Sequence, residues 1–217
     1  VLNNASSKLL LSNSITVDNV STLLANSGLD VDANSTVSSL SVAHTTPVSI
    51  VSGKTLSGAI TVTAGSIKLD EAGTLGSTVS MSGGVLDADE SLTLSGALTQ
   101  GGNITIDVAD GKTLTYSGAA VNLGANTMTL SGEGTFSNTN ALVLNNASSK
   151  LLLSSSITVG SVSTSLASLG LDVDNNSTVS SLTVGHTTPV SIASGKTLSG
   201  AITVTAGSIK LDEAGTL

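Results

Sequence analysis

Apolar residues recur along this chain at every second position, in short runs such as Val48-Ser49-Ile50, Ile67-Lys68-Leu69, Leu86-Asp87-Ala88 and Ile106-Asp107-Val108. Alternation of period two places successive side chains on opposite faces, which marks a strand with one face buried. Gly, Ser, Asn or Asp separates the runs, as turns require. No stripe of period 3.6 survives more than two turns, so a helical bundle is excluded.

The runs are grouped into a larger period. An aliphatic residue that usually follows Thr serves as a reference: Leu10, Val37, Leu56, Leu75, Leu94, Leu114, Phe136, Leu152, Val179, Leu198 and Leu217. Successive spacings are 27, 19, 19, 19, 20, 22 and 16, after which the series restarts. Eight positions before each reference stand Leu2, Leu29, Val48, Ile67, Leu86, Ile106, Met128, Leu144, Leu171, Val190 and Ile209, all apolar. Two positions further on the column stays apolar except at Asn4 and Asn146. Each unit of about 19–20 residues therefore predicts three short strands, one turn of a three-sided parallel β-solenoid (β-helix), all-β throughout.

Residues 143–217 copy residues 1–75 at an offset of 142, differing at ten positions. Seven coils fill one 142-residue repeat and should advance roughly 34 Å at about 4.8 Å per coil. The chain thus reads as one continuous solenoid: a full repeat over 1–142 and the start of a second over 143–217. Both ends fall inside the pattern, as in a piece of a longer array. The long coil implies extra residues, expected to protrude as loops over 12–27 and 154–169. Six of the ten differences lie at positions 13–27, as expected for an exposed loop. There Leu23 and Ser27 become Ser165 and Leu169, which suggests a helical turn keeping one apolar contact. Pro47 and Pro189 are expected just before strands.

Composition sharpens this picture. Tyr116 and Phe136 are the only aromatic residues, and Trp, Cys and Arg are absent. Without aromatic bulk the core should be one aliphatic layer thick. No apolar run approaches the roughly 18 residues needed to span a bilayer. The net charge of −8 disfavours nucleic acid and anionic membrane as partners, since both require clustered cations.

Fourteen of the 15 acids fall three to seven residues before a reference, and the seven lysines two or seven before it. Folding should therefore gather nearly all charge at the corner between the first and second strands. Asp70 would stack on Asp89, and Glu71 on Glu90 and then Asp110. Carboxylates about 4.8 Å apart repel by roughly 1 kcal/mol in water. Divalent cations, Ca²⁺ first because every ligand is oxygen, would relieve that repulsion. These five residues are the candidate metal ligands; a solvated acidic ladder is the simpler reading. His44 and His186 share one phase seven coils apart, too far to share a metal, and read as turn residues.

An enzyme is not expected. Carboxylates form a ladder instead of facing each other across a groove. Gly-Lys-Thr at 53–55 and 195–197 lacks the preceding glycine and following helix of a phosphate loop. The most regular outward residue is the Thr before the reference (Thr36, Thr55, Thr74, Thr93, Thr113, Thr135, Thr178, Thr197 and Thr216). A flat threonine array of that kind raises an ice-binding surface as an alternative, although Thr is also favoured on any strand.

Segments such as Gly53-Lys54-Thr55-Leu56-Ser57-Gly58 and Gly111-Lys112-Thr113-Leu114-Thr115-Tyr116-Ser117-Gly118 resemble the Gly-x-Leu-x-x-Gly strand repeats of bacterial autotransporter passengers. More broadly, the chain is similar to the repetitive stalks of large adhesins and filamentous-haemagglutinin-like exoproteins. The resemblance implies an exported structural or adhesive fibre at the cell surface, without a resident cofactor. Its partners would be further copies of itself, end to end or side by side, or glycans on neighbouring cells. The alternative is a ligand-binding solenoid, stabilised by calcium or binding ice.

Overall fold

The protein is described by a computed structural model covering residues 1–211 and 213–217. It is a β-solenoid of about 10 turns, with every strand pairing parallel and no helix among the described residues. The first strand of each coil joins an 11-stranded sheet running from Lys8–Leu11 through Gly28–Val31, Thr46–Ile50, Ser66–Leu69 and Val85–Ala88 to Ile209–Leu211. This is the first face. The second and third faces belong to one 14-stranded sheet wrapped round a corner. Long strands such as Ser35–Val42, Thr55–Val62 and Ser177–Val184 run unbroken round that corner. In the middle coils they divide, giving Thr74–Leu75 and Thr78–Met81, or Leu92–Leu94 and Leu98–Gln100.

Parallel strands buried by a closed coil need only one inward residue in two. That is why short alternating runs suffice. The inward residues form continuous rows, for example Ile67, Leu86, Ile106, Leu130, Leu153, Val173 and Ile192, each paired with the next and buried. Tyr116 and Phe136 are also inside, their rings stacked 6.2 Å apart.

The register differs from the sequence expectation in two ways. First, Leu2 and Leu144 are not on the first face. Leu2 bridges Thr22, and Leu144 pairs with Thr164, both on the third face. The residues that pair with Leu29 and Leu171 are Leu9 and Leu151. Likewise Val17 and Val159, not Leu10 and Leu152, lie against Val37 and Val179; Leu10 points outward and is 56% exposed. The Asn4 and Asn146 departures mark this misplaced coil. The expected loops 12–27 and 154–169 are corrected with it. They carry the strands Thr16–Thr22 and Thr158–Thr164, each paired at six positions with the next coil. Burial of Val20 and Thr22 draws that segment into the wall. The expected helical turn is absent, and Leu23 and Leu169 share no role: both are exposed, while Ser27 is buried and donates to the Asn4 and Leu24 carbonyls.

Second, coils slip by two residues at defined steps. Val48 pairs with Leu69, leaving Thr46 buried over Ile67; Ile104 pairs with Met128. On the second face Ser35 lies against Leu56 and Val37 against Gly58, and Leu92 lies against Leu114. Gly58 is required there: its φ is +118°, and an added Cβ would sit 1.7 Å from the Val37 carbonyl oxygen. Gly200 repeats this over Val179, with φ +131°. Pro47 and Pro189 lie within strands, as the second residues of Thr46–Ile50 and Thr188–Ile192.

Candidate functional site: the charged edge and the face opposite it

The corner between first and second faces carries Asp70, Glu71, Asp89, Glu90, Asp110, Lys54 and Lys112, whereas Asp30, Lys68, Asp87, Asp107 and Asp172 lie within first-face strands. Lys8 and Lys150, expected at that corner, instead open first-face strands at the edge next to the third face, because the sequence expectation misregistered their coil. Lysines of one coil reach acids of a neighbouring coil. Lys8 meets Asp30 at 3.0 Å, Lys112 meets Glu90 at 2.6 Å and Lys150 meets Asp172 at 2.5 Å. Lys68 lies 3.8 Å from Asp87 and is bonded to Asp89. These bonds run along the solenoid axis, where each clips two coils together. Because the pairs are largely exposed, each adds little stability alone.

The five candidate ligands are spread along this edge. Asp89 follows Asp70 by one coil, its N–H bonded to the Leu69 carbonyl. The Asp70 carboxylate accepts from Ser49 Oγ at 2.7 Å, while Asp89 is held by Lys68 and Glu90 by Lys112. Slippage between coils brings Lys112, not Asp110, against Glu90; Glu71 and Asp110 are exposed. Among the described residues no three acidic or imidazole side chains converge on one point that could hold a metal ion. His44 and His186 are exposed at the corner between third and first faces, each carbonyl accepting from a buried threonine hydroxyl, Thr46 and Thr188.

Local electrostatics follow from these contacts. The hydrogen bond from Lys68 to Asp89 raises the lysine pKa above its ordinary value. The bond from Lys8 to Asp30 does the same. Asp87 is raised above 3.8 chiefly by burial, against the opposing pull of Lys68. It lies on the first face with Lys68 on one side and Asp107 on the other.

The expected threonine column is divided by the same slips. Thr55, Thr74, Thr93 and Thr115 make one ladder; Thr113, Thr135, Thr158 and Thr178 make another beside it.

The third face lies opposite the charged corner and has its own features, which sequence reading did not single out. Its outward residues form two uncharged ladders: Ser21, Ser41, Thr61, Ser80 and Thr99, then Asn122, Val143, Ser163, Thr183 and Thr203. Main-chain pairing stops between them, since Leu98–Gln100 pairs with the coil before it and Val121–Asn122 with the coil after. Tyr116 spans the break, its hydroxyl accepting from Leu98 N–H at 3.2 Å and donating to Ala119 O at 2.7 Å. Gln100 turns inward, and its Nε2 donates to the Gly102 and Thr127 carbonyls. Its Oε1 is buried without a partner among the described residues. Beside it lies a hollow of about 210 Å³ lined by Thr61, Ser80, Met81, Thr99 and Gly101. One signal was available: Gln100 is the single glutamine of the chain.

Comparison with protein-family models, curated proteins and solved structures finds no match for this chain.

Proposed function

We propose that this solenoid is a segment of a stiff stalk or fibre outside the cell, of the kind that carries or forms a bacterial adhesin. The observation that supports it is the unbroken core: buried rows pass from coil to coil along the described length, and ion pairs join coil to coil along the first face and its corner. A closed coil with parallel ladders on every side resists bending, and near-identical copies lengthen it without new chemistry. Partners on this reading are further copies of the chain, and glycans that meet the Ser- and Thr-rich faces. The resemblance to autotransporter and filamentous-haemagglutinin-like stalks supports the extracellular location.

The test is length. Chains carrying one, two and three 142-residue repeats are measured by small-angle scattering and by force microscopy. Contour should grow by roughly 34 Å per repeat, at about 4.8 Å per coil. Growth well short of that, or a circular dichroism spectrum without β-structure, refutes the reading.

A further inference from the structure

We infer that Asp18 keeps the coil over residues 8–22 from taking the 126–142 segment of a second copy, so that separate chains do not join through the contact that joins the two repeats. Refusal of this contact does not depend on the fibre reading above.

The second repeat shows what the contact is. There residues 126–142 lie beneath the coil that begins at Lys150. Thr127–Ser131 pairs with Lys150–Leu153, Thr135–Asn138 with the start of Thr158–Thr164, and Leu142 with Val162. Leu151 and Val159 are thereby 0% exposed, and Ile157 is 1% exposed. The first repeat presents the same surface without that cover: Leu9 and Val17 are partly exposed, and Ile15 is 49% exposed. Lys8–Leu11 repeats Lys150–Leu153 residue for residue. Thr16–Thr22 differs from Thr158–Thr164 at two places only, with Asp18 standing for Gly160 and Asn19 for Ser161. Val1 and Leu2 already fill the places of Val143 and Leu144, since Leu2 bridges Thr22 as Leu144 pairs with Thr164. An uncovered row of strand edges is a template for another chain. The occupant this one matches is residues 126–142 of a second copy.

One of the two differences closes the seat. Main-chain pairing between the two coils lapses after Phe136 and Val159 and resumes at Leu142 and Val162. Asn138, 4% exposed, fills the gap. Its Oδ1 accepts from Gly160 N–H at 3.0 Å, and its Nδ2 donates to the Ser161 carbonyl at 2.7 Å. That approach leaves no room for a side chain. A Cβ at position 160 would lie 2.3 Å from the Asn138 carbonyl oxygen and 2.7 Å from the Asn138 nitrogen. Both are backbone atoms, which cannot swing aside as a side chain does. Asp18 carries such a Cβ and, beyond it, a carboxylate that the contact would bury beside a carbonyl. A clash at one residue therefore decides which copy of a repeated surface accepts the segment.

The experiment titrates a fluorescent synthetic peptide of residues 126–142 into the full 217-residue chain, read by anisotropy and amide exchange. The parent chain should not take the peptide. Asp18→Gly with Asn19→Ser should bind it about tenfold more tightly or better, as relief of an overpacked contact allows. Protection should then appear at the Lys8 and Thr16 amides, because Lys150 and Thr158 bond the Asn126 and Gly134 carbonyls in the second repeat. Asp18→Ala should refuse the peptide as the parent does, since its Cβ meets the same carbonyl. Gly160→Asp, in the covered repeat, should lower the urea midpoint and open the Gly160 amide to exchange. Equal binding by the parent and the glycine variant, no binding by the glycine variant, or binding by Asp18→Ala as tight as by glycine overturns the inference. So does a Gly160→Asp chain as stable as the parent with that amide still protected. A rod that fails to lengthen with added repeats leaves these results untouched and counts against the fibre reading instead.

Discussion

Tyr116→Phe removes one atom from the interior, and the structure says what that atom holds. The tyrosine is 1% exposed and its ring stacks on Phe136, so phenylalanine fills the same space. What goes is the hydroxyl that bridges the break in the third-face sheet, taking Leu98 N–H and giving to Ala119 O. A net hydrogen bond contributes about 1 kcal/mol, and a buried amide left without a partner costs about 1–3 more. The expected loss is therefore about 2–4 kcal/mol, read as a lower midpoint in urea. Amide exchange gives the location: Leu98 should lose protection before the outer coils do. Thr115→Val, one residue away on the outer surface, is the control and should stay within about 0.5 kcal/mol. If Tyr116→Phe also stays within that margin, with Leu98 still protected, the hydroxyl bridge is not what closes the seam.

Other expectations follow from the same geometry. Gly58→Ala or Gly200→Ala should destabilise by more than about 2 kcal/mol, because the new Cβ would strike a carbonyl of the coil below; a urea melt as stable as the parent's would contradict the slipped register. Gly53→Ala, with open space around it, should cost only about 1 kcal/mol for its positive φ. Asp87 has its pKa raised in the fold, so folding binds a proton more tightly than the unfolded chain does. Its contribution is therefore greatest at acid pH and fades as pH rises from 3.8 through the raised value. Asp87→Asn should be neutral or stabilising at pH 7 and should flatten the pH dependence in that window; destabilisation at pH 7 would show that the Lys68 contact outweighs burial. A chelator should leave the thermal midpoint unchanged, since Lys68 and Lys112 already engage Asp89 and Glu90; a clear drop would restore the calcium reading.

Much of the architecture was legible because its signals are local. Alternation in Ile67–Leu69 or Leu86–Ala88 names a strand, and glycine and asparagine between runs name the corners. The acids of the charged corner were legible too, because they keep one phase relative to the inward column; Lys8 and Lys150 were not, because their coil was misregistered and they open first-face strands instead. The misplacement of Leu2 and Leu144 has a physical cause: Lys8-Leu9-Leu10-Leu11 has three leucines in succession, so alternation does not say which of them face inward. The slips are invisible for a related reason. Thr46, Ser35 and Ser177 are buried polar residues whose hydroxyls are satisfied by nearby carbonyls, so they occupy inward places that a hydrophobicity column assigns to Val or Leu.

The amino-acid order alone determined that this chain coils, how many residues a turn takes, and that its acids gather along the first face and the corner after it, because each depends on neighbours within a few positions. Stacking between coils decided the rest: which leucines are buried, where the register jumps, which lysine reaches which acid, and where a tyrosine hydroxyl replaces main-chain pairing. Those outcomes are set by contacts between residues about twenty positions apart, whose hydrogen bonds and close approaches exist only once one turn lies on another.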